Sequence, residues 1–545
     1  MSVTDTNGTS HDLGSEILDV LLVGAGFAGL FLLRSLRGAG FKVKVVDSAA
    51  GLGGIWHWNC YPGARVDTDA PMYEFSAAEL WKDWTWCDRF PSGPELRQYF
   101  EHVDRVWDLS RDVMLNTRVT AARFEENGRY WNVTTNQASS IRARFVVLCT
   151  GFASKPYIPS IPGLEDFKGT CVHTAQWPQG GLDLRGKNVS VIGTGASGVQ
   201  VTQEASKVAK SVTVFQRTPI LALPMQQKRL DDAGQKKAKE EYEQRYARRR
   251  ETFAGLDFDF IHQGALEVSD AKRNEIYEDL WAKGGFNFWL GTFHDVLMEL
   301  KANRTAYDFW RDKTRARIKD PVLKERLAPS EPPHPFGVKR PSLEQHYFEA
   351  FNLDHVHLVD VREAPIERAG PLGLTAGGKL HKADVIVMAT GFDAVTGGLT
   401  AIDIQGATGQ TLRQHWSDGV RTYLGVACNG FPNLIMSYGP QSPSGFVNGP
   451  TSAEIQGEWI ANLLKELRAK GLTRIEPTRS SEVEWNEIVE TLTAGTLFPL
   501  ADSWYMGANI PGKKRQLLNF PGGMPDYIRR CNEALANNFA GFTVQ

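Results

Sequence analysis

Cysteine is scarce in this sequence, and its spacing excludes several kinds of chemistry. The 545 residues contain six cysteines, and no two of them form a CxxC pair. Zinc sites and redox-active dithiols normally need such close spacing, so we expect neither a metal site nor dithiol chemistry. A disulfide framework is not expected in so long a chain, and we therefore predict a reducing compartment, the cytoplasm.

Long apolar runs and an excess of one charge are also missing. Basic and acidic residues number 61 and 63, so we expect no nucleic-acid partner. Residues 18–33 are apolar enough to suggest a membrane span, but glycines interrupt them and Arg34 follows, which favours a buried strand and helix. Residues 1–16 contain no Arg or Lys, so no signal or transit peptide is expected. The oligomeric state stays open, and a monomer is compatible with this composition.

Two glycine-rich motifs, each directly after an apolar strand pattern, are the first positive signal. In a GxGxxG turn the glycines allow a tight bend, close approach of the backbone to a pyrophosphate and close packing of the next helix. The phosphates then lie at the helix N-terminus. We therefore predict two dinucleotide-binding sites. Their glycines are Gly24, Gly26 and Gly29 in the first motif, and Gly193, Gly195 and Gly198 in the second.

The residues that end the next strand after each motif predict different nucleotides. The first such strand ends in Asp47, 23 residues after Gly24. A carboxylate there accepts a hydrogen bond from a ribose 2′-hydroxyl and repels a 2′-phosphate, which predicts FAD or NAD. The second strand ends in Gln216, Arg217 and Thr218 with no acid, which favours a 2′-phosphate and therefore NADPH. The alternative is that Arg217 is an ordinary solvated cation at a strand end.

Repeated strand endings indicate how a chain too long for one core is divided. One apolar strand ends in Thr150-Gly151, and a similar strand ends in Thr390-Gly391. We predict an α/β fold with two Rossmann-like dinucleotide-binding domains, one inserted in the other, and a helical insertion. The predicted segments are residues 1–155 (FAD-binding domain, first part), 156–224 (NADP-binding domain, first part), 225–335 (helical insertion), 336–390 (NADP-binding domain, second part) and 391–545 (FAD-binding domain, second part).

The predicted insertion differs in character from both domains. Residues 236–250 are dense in Lys, Glu, Arg and Ala, which predicts an exposed helix with many charge pairs. Aromatic stripes at residues 276–281 and 309–310 are typical of core packing. The proline-rich stretch 329–336 is predicted to be a linker that closes the insertion.

Two longer motifs carry a family resemblance. Residues 167–178 have the pattern FxGxxxHxxxWP, and residues 53–67 have the pattern GGxWxxxxYPGxxxD. Shorter matches lie at residues 339–341, 389–393 and 503–507. With these motifs the chain resembles the type I Baeyer–Villiger monooxygenases from about residue 18 to 530, and most of all the phenylacetone and cyclohexanone monooxygenase group. The fixed residues of the first motif are Phe167, Gly169, His173 and Trp177.

This resemblance implies an activity and its cofactors. Related flavin-containing and N-hydroxylating monooxygenases end the first motif with Phe or Tyr, so Trp177 separates the chain from them. The missing CxxC argues against the flavin disulfide reductases, which also have two dinucleotide fingerprints. The family's members use FAD and NADPH to insert one oxygen atom of O2 next to a ketone carbonyl. The product is an ester or lactone, formed through a C4a-peroxyflavin while NADP stays bound.

The resemblance also assigns catalytic residues. Arg340 matches a family motif, and an arginine suits this chemistry because it stays charged and presents several N–H donors to a developing oxyanion. Asp67 is expected to orient Arg340. The alternatives are that Arg340 is a surface cation beside the proline-rich linker and that Asp67 is a turn residue. Without the resemblance these alternatives are the better interpretation.

Further positions follow from the same motifs. Lys339 matches a position that holds the 2′-phosphate together with Arg217 and Thr218, and His173 is expected to hold a loop or hinge rather than act as a base. Trp504 matches a position that contacts the nicotinamide half of NADP, although a buried loop anchor is an alternative. Gly54 and Trp56 belong to the cofactor-binding set. The ketone pocket is expected at Ser444, Gly445 and Phe446, where Gly445 leaves space and Phe446 adds an apolar wall.

Two rival functions stay open at this point. The first is a monooxygenase that oxygenates nitrogen or sulfur instead of carbonyl carbon. The second is a non-catalytic flavoprotein that binds nucleotides as a redox sensor, against which the presence of Arg340 and Asp67 argues. The sequence does not separate linear, aryl and cyclic ketones.

Overall fold

The computed structural model describes residues 16–545, so the expectation about a targeting segment at the N-terminus lies outside the described residues, Glu16 apart. Within this range, strands and helices alternate through most of the chain. No helix in residues 16–545 is both long and apolar enough to span a bilayer.

The strands are short, and those of the two largest sheets are rich in buried aliphatic residues. In chain order they are β1 (Ile17–Val23), β2 (Val43–Val46), β3 (Val113–Met114), β4 (Val119–Glu125), β5 (Tyr130–Thr135), β6 (Ser140–Leu148), β7 (Thr170–His173), β8 (Asn188–Ile192), β9 (Ser211–Gln216), β10 (Leu223–Pro224), β11 (Leu343–Glu344), β12 (Val356–Asp360), β13 (Ile366–Gly370), β14 (Gly373–Ala376), β15 (Lys379–Lys382), β16 (Val385–Met388), β17 (Asp403–Gln405), β18 (Leu434–Met436), β19 (Ile475–Pro477) and β20 (Phe542–Val544).

The α-helices range from single turns to the 21-residue helix that starts at Gly449. In chain order they are α1 (Phe27–Gly38), α2 (Ile55–Trp58), α3 (Ala78–Trp81), α4 (Gly93–Trp107), α5 (Ala196–Ala205), α6 (Asp232–Ala238), α7 (Tyr242–Arg248), α8 (Asp270–Lys283), α9 (Asn287–Leu290), α10 (Leu300–Arg315), α11 (Pro321–Leu327), α12 (Tyr347–Ala350), α13 (Gly397–Thr400), α14 (Leu412–His415), α15 (Gly449–Ala469), α16 (Arg479–Ala494) and α17 (Gly523–Ala536).

The larger sheet is mixed and is built from the two ends of the chain. Its order is β17-β4-β5-β6-β1-β2-β3, with β18 also paired to β6. The strands β1, β2 and β6 run parallel, whereas β5 is antiparallel to both of its neighbours. Val20 and Leu22 of β1 are fully buried because α1 and α15 pack together over this region of the sheet.

The smaller sheet is entirely parallel and comes from the middle of the chain. Its order is β12-β9-β8-β16-β7. The chain leaves the larger sheet after β6 and returns to it after β16, so Thr150-Gly151 and Thr390-Gly391 mark both crossings. The predicted α/β class is therefore confirmed, with two Rossmann-like sheets, one inserted in the other, and helices in between.

The insertion between β10 and β11 is helical, and one of its expected details needs correction. Residues 236–250 are helical and largely exposed, but a 3-10 turn joins α6 to α7, and Arg249 is buried against Glu454 of α15. The proline-rich stretch lies between α11 and β11 without regular secondary structure, and it is packed into the fold. Phe336 is fully buried, and its N–H and carbonyl both pair with the side chain of Asn303 at 2.8 Å.

Candidate active site

The first glycine turn follows β1 and leads into α1. Gly24 has a φ of +117°, and a Cβ atom on it would lie 2.4 Å from the carbonyl oxygen of Cys149. A Cβ on Gly29 would lie 1.8 Å from the carbonyl oxygen of Gly24. Helix α1 begins after Gly26 without a capping side chain and without an acidic residue in its first turn. Its first N–H groups therefore suit an anion such as a pyrophosphate.

The second glycine turn repeats this geometry between β8 and α5. Gly193 has a φ of +107°, and a Cβ on it would lie 2.4 Å from the carbonyl oxygen of Ala389. A Cβ on Gly198 would lie 2.2 Å from the carbonyl oxygen of Gly193. Gly195 faces open space, and no side chain caps α5. Both turns thus have the cradle that a dinucleotide requires.

Asp47 lies at the end of β2 beside the first turn. Its carboxylate accepts the N–H of Ala25 at 2.6 Å and the N–H of Ala49 at 2.8 Å. A carboxylate has about four acceptor positions, so capacity for a ribose hydroxyl remains. Gly54 packs against the same turn, because a Cβ on it would lie 3.0 Å from the Cα of Gly26. Asp47 and the first glycine turn therefore suit a ribose without a 2′-phosphate.

Trp56, the other expected cofactor residue near this turn, is buried. Its indole Nε1 donates to the hydroxyl of Tyr73 at 3.2 Å, and the two rings meet edge to face at 5.7 Å. The side chain thus holds helix α2 against the segment that contains Tyr73. Its contacts among the described residues are structural, and a cofactor contact stays a prediction.

A pair of cations marks the second turn. Arg217 is exposed directly after β9, and the carbonyl of the next residue, Thr218, accepts the hydroxyl of Thr194 at 2.9 Å. Burial and the nearby charge of Arg217 lower the pKa of Lys339 to about 8. Neither Arg217 nor Lys339 forms an ion pair within residues 16–545. Although the charge of Asp502 also acts on Lys339, two neighbouring cations fit a phosphate group better than an isolated strand-end cation.

Gln216 does not belong to this pair. Its side chain is buried, and Nε2 donates to the carbonyl of Arg326 at 2.8 Å. The strand end therefore contributes to the nucleotide preference through the missing acid and through Arg217, while Gln216 fastens β9 to the end of α11.

Arg340 and Asp67 form the expected pair, although 273 positions separate them in the sequence. Arg340 Nε donates to Asp67 Oδ2 at 2.9 Å, and Nη2 donates to Oδ1 at 3.0 Å. Nη1 donates to the carbonyl of Gly445 at 3.0 Å. Burial opposes the charged form, but the charge and hydrogen bonds of Asp67 outweigh it and raise the pKa of Arg340. The guanidinium is thus a fixed, permanently charged donor that solvent still reaches, with about a fifth of its side chain exposed.

The loop around Gly445 departs from one sequence expectation. A Cβ on Gly445 would lie 2.7 Å from Asn519 Oδ1, 2.7 Å from the ring of Tyr505 and 2.9 Å from the ring of Trp504. The expectation that Gly445 leaves space for substrate is therefore wrong, because these three side chains fill it. The absence of a side chain at Gly445 instead lets these three side chains pack closely, and the Gly445 carbonyl accepts a hydrogen bond from Arg340.

The two neighbours of Gly445 are also packed inward. Ser444 Oγ donates to Asn519 Oδ1 at 2.6 Å, and Phe446 stacks on Phe498 with ring centroids 4.5 Å apart. Both residues are almost fully buried. The stretch 444–446 is next to Arg340 through its backbone, and a role for its side chains as the ketone pocket stays a prediction.

Trp504 belongs to an aromatic group that the sequence analysis only partly found. Its ring stacks on Phe152 at 5.3 Å with 9° between the planes, and Trp504 itself is half-buried. The hydroxyl of its neighbour Tyr505 donates to the carbonyl of Gly445 at 3.1 Å, the same oxygen that accepts Arg340. Phe152 directly follows the Thr150-Gly151 strand ending, which is the one signal that could have identified it.

The FxGxxxHxxxWP motif lies at the crossing between the sheets. Gly169 is required by space, because a Cβ on it would lie 2.3 Å from the carbonyl oxygen of Asp384. Phe167 and Trp177 are buried. His173 Nδ1 accepts the N–H of Ala175 at 3.0 Å, so Nε2 carries the proton and donates to the carbonyl of Gly391 at 3.1 Å.

His173 is therefore fastened at both ring nitrogens. Burial lowers its pKa, and the neutral ring joins the end of β7 to the turn after β16. Among residues 16–545 it makes no hydrogen bond or ion pair with Arg340 or Asp67. This geometry supports a conformational role over a catalytic one, and the role itself stays a prediction.

Three potential metal ligands meet elsewhere in the fold. His415, Cys428 and Glu482 each bring one ligand atom within 4.8 Å of the others. His415 Nε2 and Glu482 form a hydrogen bond of 2.9 Å, and Cys428 Sγ donates to the carbonyl of Arg421 at 3.3 Å. These protein partners account for the cluster, and we assign no metal to it.

Comparisons with known proteins identify the family of this fold. A family model described as pyridine nucleotide-disulphide oxidoreductase matches residues 18–242, which contain both glycine turns. Because CxxC is absent, that match reflects the shared two-nucleotide fold rather than disulfide chemistry. Cyclopentanone 1,2-monooxygenase of Comamonas sp. (strain NCIMB 9872) is 51% identical over 546 residues, which cover 99% of each chain.

Two solved structures extend the likeness to three dimensions. OTEMO in complex with FAD and NADP matches with a TM-score of 0.93 at 36% identity, covering 97% of this chain and 99% of that one. Cyclohexanone monooxygenase from Rhodococcus sp. Phi1 bound to NADP⁺ matches with a TM-score of 0.94, also at 36% identity and over the same shares. With such relatives over nearly its whole length, the chain belongs to the type I Baeyer–Villiger monooxygenases, the FAD- and NADPH-dependent enzymes that its motifs resemble.

Proposed function

We propose that this enzyme converts a small cyclic ketone to a lactone with NADPH and O2. The observation that carries the proposal is the Arg340–Asp67 pair, fixed in one geometry alongside two glycine turns of different nucleotide preference. FAD would bind at the turn that begins with Gly24, and NADPH would bind at the turn that begins with Gly193. Bound FAD and NADPH supply the reducing equivalents and the activation of O2.

Arg340 serves the oxygen-transfer step through its charge and its remaining donors. A guanidinium has five N–H groups, and Asp67 and Gly445 occupy three of them. The Tyr505 hydroxyl also interacts with the guanidinium, and the remaining donors are proposed to serve an oxygen atom on which negative charge develops. Because Asp67 fixes the plane beforehand, little reorganisation is needed when that charge appears. Asp67 acts through Arg340 and is a positioning residue.

The remaining site residues divide between the two nucleotides. Gly54 and Trp56 flank the FAD side, and Asp47 is proposed to accept the FAD ribose. Arg217, Thr218 and Lys339 are proposed to receive the 2′-phosphate of NADPH. Trp504 is proposed to contact the nicotinamide half, where its stacking on Phe152 gives it a fixed orientation.

The segment boundaries follow the two crossings of the chain. We propose that residues 1–155 and 391–545 make the FAD-binding domain and that residues 156–224 and 336–390 make the NADP-binding domain. The helical insertion is proposed to be residues 225–335. The positions of β6, β10 and β16 support these boundaries, since β6 and β16 end a few residues before a proposed change of domain and β10 ends at one.

The size of the substrate is inferred from the packing around Arg340. The aromatic side chains of Phe152, Trp504 and Tyr505 lie close to this part of the site, and the space beside Gly445 is filled. A compact apolar ketone suits such surroundings. The chain is 51% identical to a cyclopentanone 1,2-monooxygenase, and that relative's substrate points to a ring of five or six carbons.

A product assay tests this proposal directly. The purified enzyme with FAD, NADPH and O2 is offered cyclopentanone, cyclohexanone, acetone and phenylacetone in separate reactions, and products are identified by gas chromatography with mass spectrometry. We expect lactones from the cyclic ketones at the highest kcat/KM, with NADPH consumed in a one-to-one ratio. A thioether and a tertiary amine are offered in parallel reactions, as substrates for oxygenation at sulfur and at nitrogen. Oxygenation of these two without any ester or lactone would overturn the proposal, and so would NADPH consumption unaffected by all ketones.

The Michaelis constant for NADPH should depend on pH through Lys339. Its pKa near 8 means that the charged ammonium, which attracts the 2′-phosphate, is lost as pH rises above that value. KM should therefore be level below about pH 8 and rise above it by up to about tenfold per pH unit. Initial rates measured with NADPH from about pH 6.5 to 9.5 check this, with NADH as the nucleotide that lacks the phosphate. Lys339→Arg should flatten the profile because a guanidinium stays charged. A KM that is constant across the range would show that Lys339 does not bind the phosphate.

A further inference from the structure

The Arg340 guanidinium lies over two aromatic rings of the helical insertion. Its central carbon is 4.8 Å from the ring centre of Phe286 and 5.8 Å from that of Trp289. The two rings meet edge to face at 5.0 Å, and both residues are buried. The insertion therefore contacts the proposed oxygen-transfer residue directly and not only through the backbone.

Trp289 also fixes the segment that leads to Arg340. Its indole Nε1 donates to the carbonyl of Gly337 at 3.1 Å. Gly337 has a φ of +78°, and a Cβ on it would lie 2.7 Å from the indole ring. The tryptophan thus sets the distance between helix α9 and the chain three residues before Arg340.

We propose that Phe286 is a positioning residue for Arg340. Through this role it sets the ratio of lactone formed to hydrogen peroxide released. Asp67 and Gly445 hold the edge of the guanidinium through hydrogen bonds, whereas the ring of Phe286 restrains tilting out of that plane. Arginine stacks well on aromatic faces, and the attraction between cation and ring is stronger where water is excluded. This inference rests on the proposed function of Arg340 in oxygen transfer.

The two restraints are complementary in direction. A bidentate carboxylate leaves a guanidinium free to rock about the line that joins the two groups. Such rocking would move the remaining N–H donors away from the position where negative charge develops. Small misplacements of this kind are costly in catalysis because the donor must be preorganised. The ring of Phe286 adds to the hydrogen bond with the Gly445 carbonyl in limiting this motion.

Product partition tests the proposal by activity. Phe286→Leu keeps apolar volume and removes the aromatic face. We expect a roughly three- to twentyfold drop in the ratio of lactone formed to hydrogen peroxide released, with the rate of NADPH-driven flavin reduction changed less than about twofold. Phe286→Tyr should restore the ratio, because the face returns. Phe288→Leu is the matched control, since Phe288 lies two residues further on, in α9, but packs against Phe309 and Phe336.

A second variant keeps the test decisive if Phe286→Leu folds poorly. Fluorinated phenylalanines at position 286 preserve the shape of the ring and weaken its attraction for a cation as fluorine atoms are added. We expect the lactone-to-peroxide ratio to fall stepwise along the series. An unchanged ratio along the series, or an equal loss in Phe288→Leu, would overturn the proposal.

Nuclear magnetic resonance supplies a readout that does not depend on activity. In ¹⁵N-arginine-labelled protein, the Nε–H signal of Arg340 is assigned by its loss in Arg340→Lys. We expect the ring current of Phe286 to shift this signal, and Phe286→Leu to move it while Phe288→Leu leaves it in place. If the wild-type enzyme forms no lactone but this shift is present, the proposed function fails while the contact stands. If lactone forms and the signal does not move, the positioning role is wrong.

Discussion

Replacing Arg340 by alanine is expected to separate NADPH oxidation from product formation. Hydride transfer needs the nicotinamide close to the flavin, and nothing in the Arg340 contacts described above is required for that step. Oxygen transfer builds negative charge, and without Arg340 that charge loses a preorganised donor. Such a loss typically costs about 10²–10³ in rate, so lactone per NADPH should fall by about that factor. The missing product should appear as hydrogen peroxide.

The measurement is lactone formed and peroxide released per NADPH consumed, together with the rate at which NADPH reduces the bound flavin without O2. Arg340→Lys keeps the charge but loses the bidentate geometry, and we expect it to restore only a small part of the coupling. Asp67→Asn should give a milder defect than Arg340→Ala, because it weakens the support of the guanidinium and leaves the donor in place. If Arg340→Ala still directs most of its NADPH into lactone, another cation performs this role.

Removing both cations at the second turn should abolish the preference for NADPH. Charge-assisted hydrogen bonds contribute about 1.5–3 kcal/mol each, so Arg217→Ala combined with Lys339→Ala should lower kcat/KM for NADPH by about a hundredfold or more. The constant for NADH should change little, since NADH has no 2′-phosphate to lose. The two kcat/KM values, measured on the same preparation, give the selectivity as a ratio.

The matched control for this experiment is Arg185→Ala. Arg185 is also an exposed arginine near the smaller sheet, but it pairs with Asp183 and is not beside Lys339. It should leave both constants unchanged. Equal losses for NADPH and NADH in the double variant would show that Arg217 and Lys339 stabilise the domain and do not read the phosphate.

The two nucleotide cradles could be predicted from the sequence because their determinants are local. In each case strand, glycine turn and helix follow one another without a break, and the close contacts of Gly29 and Gly198 are with the turn itself. The strand endings at Asp47 and Arg217 are equally local. Periodicity and spacing carry this kind of information directly.

The Arg340–Asp67 pair is of another kind. No spacing rule connects two residues that far apart, and their pairing was expected only because the family motifs contain both. Physical reasoning on the residues alone favoured a surface cation and a turn residue. The structure brings them to 2.9 Å where the chain leaves the insertion and runs toward β11 and the smaller sheet.

Packing across elements is where sequence reasoning failed. A glycine in a sequence indicates a missing side chain, but it does not tell whether the space is empty, and at Gly445 Trp504 and Asn519 fill it. The helical charge pattern of residues 236–250 gave no sign that Arg249 turns inward. The contact between Phe286 and Arg340 was missed because Phe286 lies outside the aromatic stripes at 276–281 and 309–310, and an aromatic residue in a sequence does not tell whether it faces a core or a guanidinium.

The buried pair between Arg249 and Glu454 sets a condition for building chimeric enzymes. The side chains of both residues are about 2% exposed, and the Glu454 carboxylate also accepts the N–H of Ser76 at 2.8 Å. A helical segment grafted from another monooxygenase to alter ring-size preference would have to bring a cation to this position. Without one, the graft would leave a buried carboxylate unpaired, at a cost of about 3–5 kcal/mol in folding stability. Donor segments are therefore best chosen first by the residue that they place opposite Glu454, and only then by the substrate range of the donor enzyme.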